Sequence, residues 1–101
     1  MVRQEMVSET ETILIVSGPL YGEAGAEFEK KIEGLADSTY VTITLDLSMA
    51  VGITSPAIGK LVAVQKKLRA QNRSIRIKGC SEALFRIFER IKLHTLIDIT
   101  K

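Results

Sequence analysis

Residues 41–60 read VTITLDLSMAVGITSPAIGK, and the architecture of the chain can be worked out from them. The first half is rich in valine, threonine and isoleucine and predicts a strand that ends at Asp46-Leu47-Ser48. A short loop is expected next, and Ser55-Pro56 then opens a helix. Proline favours the first helical position and disfavours a helical conformation in the residue before it, which assigns Ser55 to the N-cap.

Strands and helices alternate on both sides of this stretch. Before it, residues 2–7 and 12–16 predict a hairpin of two strands that ends at Gly18-Pro19, and residues 22–35 predict a helix. After it, we expect a helix from Pro56, a strand over 74–78, a helix capped by Ser81 and a short strand or extended tail over 96–99. The predicted fold is a single α/β domain over residues 1–101: a mixed, mostly parallel sheet of four or five strands that follows an N-terminal hairpin and packs with three to four helices.

Apolar residues at helical spacing predict which side chains of the last two helices face the core. In the earlier of these helices they are Ala57, Leu61, Val64 and Leu68. In the later one they are Leu84, Ile87, Phe88 and Ile91.

The composition is that of a globular protein, with 46% hydrophobic and 26% charged residues. No apolar run approaches the ~18–20 residues of a membrane span, and the first residues lack a signal-peptide pattern, so we expect a cytoplasmic protein without membrane insertion. Cys80 and His94 are the only residues of their types. Neither a catalytic set nor a metal site can be built from them, so we expect no enzyme activity and no cofactor, with Cys80 as a buried packing residue.

Charge is distributed unevenly along the chain. Residues 1–46 hold nine acidic and three basic residues, and residues 47–101 hold three acidic and eleven basic residues. The basic half suits either an anionic partner or a solvated face that attracts an acidic surface. No aromatic residue is interleaved with the basic ones, so direct binding of nucleic acid is not expected.

The central stretch also resembles a known family. Asp46-Leu47-Ser48, four further residues and then Ile53-Thr54-Ser55-Pro56-Ala57-Ile58-Gly59 are similar to the signature of the STAS domain, in the branch of bacterial anti-sigma-factor antagonists. That signature reads Asp-Leu-Ser, a short loop, an apolar residue and Asp-Ser-Ser/Thr-Gly-Leu-Gly. The resemblance extends over nearly the whole chain.

This resemblance implies regulation of transcription by partner switching. The antagonist binds an anti-sigma factor with serine-kinase activity and thereby frees the sigma factor. The kinase phosphorylates the serine that matches Ser55, and a serine phosphatase removes the phosphate. Thr54, which carries the neighbouring hydroxyl, is the less favoured alternative site of phosphorylation. The partner-binding residues expected from the resemblance are Asp46, Ser48, Thr54, Ser55, Pro56, Ile58, Gly59 and Lys60, with Gln65 and Lys67 further along the helix.

The chain departs from the signature at Thr54, where the family has aspartate, at Pro56, and at Ala57, where the family has glycine. Proline also removes an N–H that could bind phosphate. A second interpretation therefore stays open, in which the chain resembles STAS domains that are non-catalytic regulatory subunits of membrane transporters or parts of stress-signalling assemblies. A weak homodimer is a further open possibility.

Overall fold

The computed structural model describes residues 2–101, which form five strands, three α-helices and a short 3-10 helix. In chain order these are β1 (Val2–Met6), β2 (Glu11–Leu20), α1 (Gly22–Ala36), β3 (Thr42–Ile53), α2 (Ser55–Arg69), β4 (Ser74–Cys80), α3 (Glu82–Arg90), the 3-10 turn Leu93–Thr95 and β5 (Asp98–Thr100). The sheet has the order β1-β2-β3-β4-β5. β1 is antiparallel to β2 and every other pair is parallel. The predicted α/β fold is confirmed.

The core lies on one face of the sheet because side chains alternate between the two faces of a strand. The inward residues of the three central strands are fully buried together with apolar residues from all three helices: Leu14, Val16, Ile43, Leu45, Leu47, Ile75, Ile77, Phe28, Leu61 and Phe88. On the opposite face Ile13 and Ile15 are half-buried, and Arg76 and Lys78 are exposed. The helices therefore cover one face and leave the other open.

The predicted inner face is confirmed for α2 and only partly for α3. All four predicted core residues of α2 are buried. In α3 Leu84 and Phe88 are buried, but Ile87 and Ile91 are 37% and 48% exposed, so the prediction was wrong for these two. α3 has only nine residues and Ile91 is already its C-cap, so a single narrow stripe lies against the core. Within residues 2–101, no helix is long and apolar enough to cross a membrane.

Three strands are longer than predicted, among them β4, which continues past Lys78 to Cys80. β3 continues past Ser48 to Ile53, and β2 continues through Gly18-Pro19 to Leu20. The pairing survives because β3 twice inserts one extra residue opposite β2, before Met49 and before Gly52. Such bulges bend a strand without ending it. The expected loop after Ser48 is therefore a bulged strand, and the predicted strand ends were wrong.

Arg73 joins the end of α1 to the neighbouring loop. Its guanidinium donates hydrogen bonds to the carbonyl oxygens of Leu35 (3.1 Å), Ala36 (2.9 Å) and Tyr40 (2.6 Å). The last carbonyls of a helix have no partner within the helix. The side chain of Arg73, just before β4, thus supplies hydrogen-bond donors to the last carbonyls of α1.

Candidate functional site

The N-cap of α2 is Thr54. Its backbone is extended (φ −93°, ψ 159°), and its hydroxyl oxygen accepts a hydrogen bond from the N–H of Ala57 at 3.3 Å. Its carbonyl accepts the bond from Ile58 N–H at 3.0 Å that begins the helical ladder. The assignment of Ser55 as N-cap was therefore wrong by one residue. Every N–H of the first turn lacks a partner in the ladder, so Pro56 fits the second helical position as well as the first.

Ser55 occupies the first helical position and is exposed. Pro56 and Gly59 are also exposed, whereas Thr54 and Ile58 are half-buried. The hydroxyl of Ser55 takes part in no hydrogen bond with any of residues 2–101, because the capping bond is made by Thr54 instead. The shift of the cap by one residue leaves the Ser55 hydroxyl available to another molecule.

The first turn of α2 has few free backbone donors. Pro56 carries no N–H, and the N–H of Ala57 is bonded to the Thr54 hydroxyl. Of the first three helical residues, only Ser55 therefore retains an N–H that is not already used. The turn also contains no acidic residue, so no side chain offsets the partial positive charge of the helix start.

Asp46 and Ser48 shape the first bulge of β3. One oxygen of Asp46 accepts hydrogen bonds from the Ser48 N–H at 3.0 Å and from the Ser48 hydroxyl at 2.6 Å. Gly79 of β4 lies against this pair with φ +93°, and a Cβ there would be 3.3 Å from the Asp46 oxygen. Asp46 and Ser48 lie seven and five residues before the end of β3, and their side chains are hydrogen-bonded to each other.

Three large apolar side chains are exposed on the elements that lead to α1 and α2. Tyr21, Met49 and Val51, which we call the apolar rim, are 59%, 64% and 75% exposed. Tyr21 follows Leu20, which pairs with Ile53, so it lies beside the start of α2. A contact surface over residues 48–61 was expected from the sequence, but Met49 and Val51 were not named, because residues 49–52 were treated as a loop. Tyr21, which precedes the first predicted helix, was not singled out. The available signal was the pair of apolar residues Met49 and Val51 in that segment.

Lys60 and Lys67 contact α1. Lys60 donates to Glu33, and this hydrogen bond raises the pKa of the Lys60 ammonium. Lys67 donates to Asp37 at 2.8 Å, and that bond lowers the pKa of the Asp37 carboxyl. Both predicted contact lysines therefore already hold an acidic partner on the neighbouring helix.

Gln65, also expected at the surface, is buried. Its side chain accepts from the N–H of Ile75 at 2.8 Å and donates to the carbonyl of Leu96 at 2.9 Å. The prediction was wrong because the polar side chain fills an internal hydrogen-bonding position between α2 and β4. Helical spacing alone does not reveal such a partner.

Cys80 is buried at the end of β4, as predicted, and burial raises the pKa of its thiol. A thiol that resists ionisation is a poor nucleophile. His94 is exposed. Within residues 2–101 no group of three or more histidine, cysteine or carboxylate side chains is arranged to hold a metal ion.

Three solved structures that are similar to this chain are those of anti-sigma factor antagonists or of the Bacillus cell fate determinant SpoIIAA. The unphosphorylated anti-sigma factor antagonist SpoIIAA is similar with a TM-score of 0.83 and 17% identity, over 100% of this chain and 89% of that one. The phosphorylated form of SpoIIAA, the Bacillus cell fate determinant, is similar with a TM-score of 0.77 and 17% identity, over 100% of this chain and 92% of that one. An anti-sigma factor antagonist from Mycobacterium paratuberculosis is similar with a TM-score of 0.84 and 17% identity, over 98% of this chain and 83% of that one.

Sequence comparison gives the family. No curated protein sequence matches this chain. The family model of the STAS domain, however, matches residues 3–101, which is nearly the whole of it. This match and the mostly parallel sheet both agree, and the chain belongs to the STAS domain family.

Proposed function

We propose that this protein is an anti-sigma-factor antagonist that binds an anti-sigma factor with serine-kinase activity through the start of α2. Phosphorylation of Ser55 then releases it. The observation that carries the proposal is the exposed Ser55 hydroxyl, free of hydrogen bonds to residues 2–101, at the first position of α2. The likeness of the fold to SpoIIAA, which is known in unphosphorylated and phosphorylated forms, supports it.

The apolar rim supplies the contact area that such a partner requires. Protein interfaces gain most of their free energy from a few large side chains that become fully desolvated on binding. Tyr21, Met49 and Val51 are exposed in the free domain, and Ile58 is half-buried in the first turn of α2. Val51 and Ser55 are separated by only three residues at the end of β3 and the start of α2, so a partner that covers Val51 is expected to reach the hydroxyl of Ser55.

Phosphorylation of Ser55 should weaken the complex with the partner more than it destabilises the free domain. It adds about −1.5 to −2 charges at pH 7, and burying that charge in an apolar interface is costly. A cost of about 3 kcal/mol weakens binding by ~100-fold. The free domain tolerates the phosphate because a negative charge is favourable at a helix start. The Thr54 cap does not involve the modified oxygen.

The test is phosphorylation by candidate anti-sigma kinases. The protein is mixed with the kinase and ATP, and mass spectrometry should detect a gain of about 80 Da, one phosphoryl group, that is absent in Ser55→Ala. Thr54→Ala, which removes the neighbouring hydroxyl, is the matched control and should still be modified. If a tightly bound kinase partner adds no phosphate, or adds it equally to Ser55→Ala, the switch at Ser55 is excluded.

The uneven charge favours one second candidate, a regulatory subunit of a membrane transporter. Residues 47–101 hold eleven basic and three acidic residues, which suits an acidic surface on an ATPase subunit. Affinity purification from the native cell distinguishes the two candidates. Recovery of a histidine-kinase-like ATPase supports the antagonist, and recovery of a transporter ATPase supports the subunit.

A further inference from the structure

The edge strand β1 is the part of the sheet that the proposed function does not use. β1 pairs only with β2, and four of its five residues are exposed. Met6 is 70% exposed, although it lies at the end of a strand whose first residue, Val2, packs against the core. An exposed strand edge is a template for pairing with another strand.

Hydrogen bonds at the hairpin show which backbone groups of β1 point away from β2. The N–H of Val7, just after β1, donates to the carbonyl of Glu11 at 3.0 Å, and the carbonyl of Glu5 accepts from the Thr12 hydroxyl at 3.0 Å. Backbone direction alternates along an antiparallel strand. The odd-numbered residues therefore face β2, and the N–H and C=O groups of Val2, Gln4 and Met6 face the free edge.

The sequence of β1, VRQEM, is complementary to itself when two copies run antiparallel. A two-fold axis at Gln4 places Arg3 opposite Glu5 of the second copy and Val2 opposite Met6 of the second copy. Gln4 and Met6 are then in hydrogen-bonded pairs, as their outward backbone groups require. Arg3 and Glu5 are in the closer, non-hydrogen-bonded pairs, where side chains approach best.

Other pairings of two β1 strands bring like charges together. A shift of the two-fold axis to Arg3 sets arginine opposite arginine, and a shift to Glu5 sets glutamate opposite glutamate. Parallel pairing in register sets arginine opposite arginine and also glutamate opposite glutamate. Because like charges directly opposite each other destabilise a sheet, the axis at Gln4 is favoured over these three pairings, and it also overlaps the whole of β1.

We propose that this protein forms a symmetric homodimer in which two β1 strands pair antiparallel about Gln4 and join the two sheets into one of ten strands. Arg3 and Glu5 already form an ion pair at 3.2 Å within one chain, on the open face of the sheet. In the dimer each side chain gains a second partner of opposite charge. Met6, exposed in the monomer, is covered by Val2 of the second copy.

The interface is small, so the dimer is weak. Interfaces well below about 1,200 Å² belong to transient complexes, and we expect a dissociation constant of about 10–500 μM. The proposal does not rest on the proposed function, because β1 does not contain Ser55; Arg3 does line the same shallow pocket as Met49 of the apolar rim, whereas Glu5 does not. Sedimentation velocity between about 10 μM and 1 mM, on protein without an added N-terminal segment, measures the association over this range.

Charge exchange tests the register. Arg3→Glu alone and Glu5→Arg alone each set like charges opposite each other twice, so each should weaken self-association by about tenfold or more. An equimolar mixture of the two single variants should form a heterodimer, and the double variant should associate like the wild type. Glu9→Arg, which makes the same change in the exposed turn after β1, is the matched control and should not alter association.

Amide hydrogen exchange supplies an independent readout of the geometry. Protection of the Gln4 and Met6 amides should rise with protein concentration, whereas protection of the Arg3 and Glu5 amides should not depend on it. A wild type that stays monomeric at 1 mM overturns the proposal. So does a dimer that both single variants form as well as the wild type.

Discussion

The hydroxyl of Thr54 accepts a hydrogen bond from the N–H of Ala57 at 3.3 Å, and this bond determines the state of the next residue, Ser55. Because the Thr54 hydroxyl makes the capping hydrogen bond of α2, the Ser55 hydroxyl is not needed for the cap and is available for modification. Capping and modification are thus divided between two adjacent hydroxyl residues.

Thr54→Ala should lower the free energy of unfolding by about 1 kcal/mol, because it removes the N-cap of α2. Ser55→Ala should change it by less than about 0.5 kcal/mol, since that side chain caps nothing. Urea denaturation followed by circular dichroism measures both. Thr39→Ala, at an exposed loop threonine, is the control. A larger loss for Ser55→Ala than for Thr54→Ala would restore Ser55 as the cap.

Gly79→Ala should destabilise the domain by about 1–3 kcal/mol, because a side chain at φ +93° is strained and its Cβ would press on the Asp46 carboxylate. Gly34→Ala in α1 is the matched control. No atom lies within 4 Å of a Cβ at that position, so alanine should stabilise the helix by about 0.5–1 kcal/mol. Equal effects of the two substitutions on the thermal midpoint would contradict this account of the β3 bulge.

Arg73→Ala should destabilise the domain by about 1–3 kcal/mol, since it leaves the carbonyls of Ala36 and Tyr40 without their donor, while the carbonyl of Leu35 keeps its hydrogen bonds from Ser38. Arg69→Ala removes an exposed arginine near the end of α2 and should change stability by less than about 0.5 kcal/mol. Hydrogen exchange should localise the effect of Arg73→Ala to the last turn of α1. Uniform loss of protection across the domain would argue against a local capping role.

The bond between Lys67 and Asp37 predicts a pH-dependent contribution to stability. The folded-state pKa of Asp37 is lowered, so its stabilisation is present above the unfolded pKa of about 3.9 and is lost as pH falls through the folded pKa. Asp37→Asn should therefore cost a little stability at pH 7 and nothing once the carboxyl is protonated. The same substitution in a Lys67→Met background should show a much smaller pH dependence, because only the weaker effect of Arg73 on the pKa of Asp37 remains. An undiminished effect in acid would refute the pairing.

Val51→Ser should weaken binding of the anti-sigma partner by about tenfold, because it removes the most exposed apolar side chain of the rim. Val7→Ser is the matched control, as Val7 is also exposed but lies after β1. Neither change should alter stability by more than about 0.5 kcal/mol. Titration calorimetry with the partner identified by phosphorylation measures the difference. Equal affinities of the two variants would remove Val51 from the interface.

Local patterns were sufficient for the order of elements and for most of the core. β-branched runs and three-to-four spacing report directly on which face of a strand or helix is apolar, and the α2 stripe from Ala57 to Leu68 follows from them. They failed at Ile87 and Ile91, because a nine-residue helix has room for only one stripe against the core. They also failed at Gln65, whose partners Ile75 and Leu96 lie ten and thirty-one residues away.

The sequence alone was enough to predict an α/β domain, because hydrophobic period and turn chemistry act over a few residues. The resemblance of residues 46–59 to a family signature indicated the STAS type and singled out the segment around Ser55. The three-dimensional arrangement was needed for the rest. It was needed to see that β3 runs on through two bulges to Ile53, since bulges depend on register with β2. It was needed to see that Thr54 and not Ser55 caps α2. The N-cap is identified by its backbone angles and by one hydrogen bond. The sequence shows neither, so it does not distinguish two neighbouring hydroxyl residues before a helix.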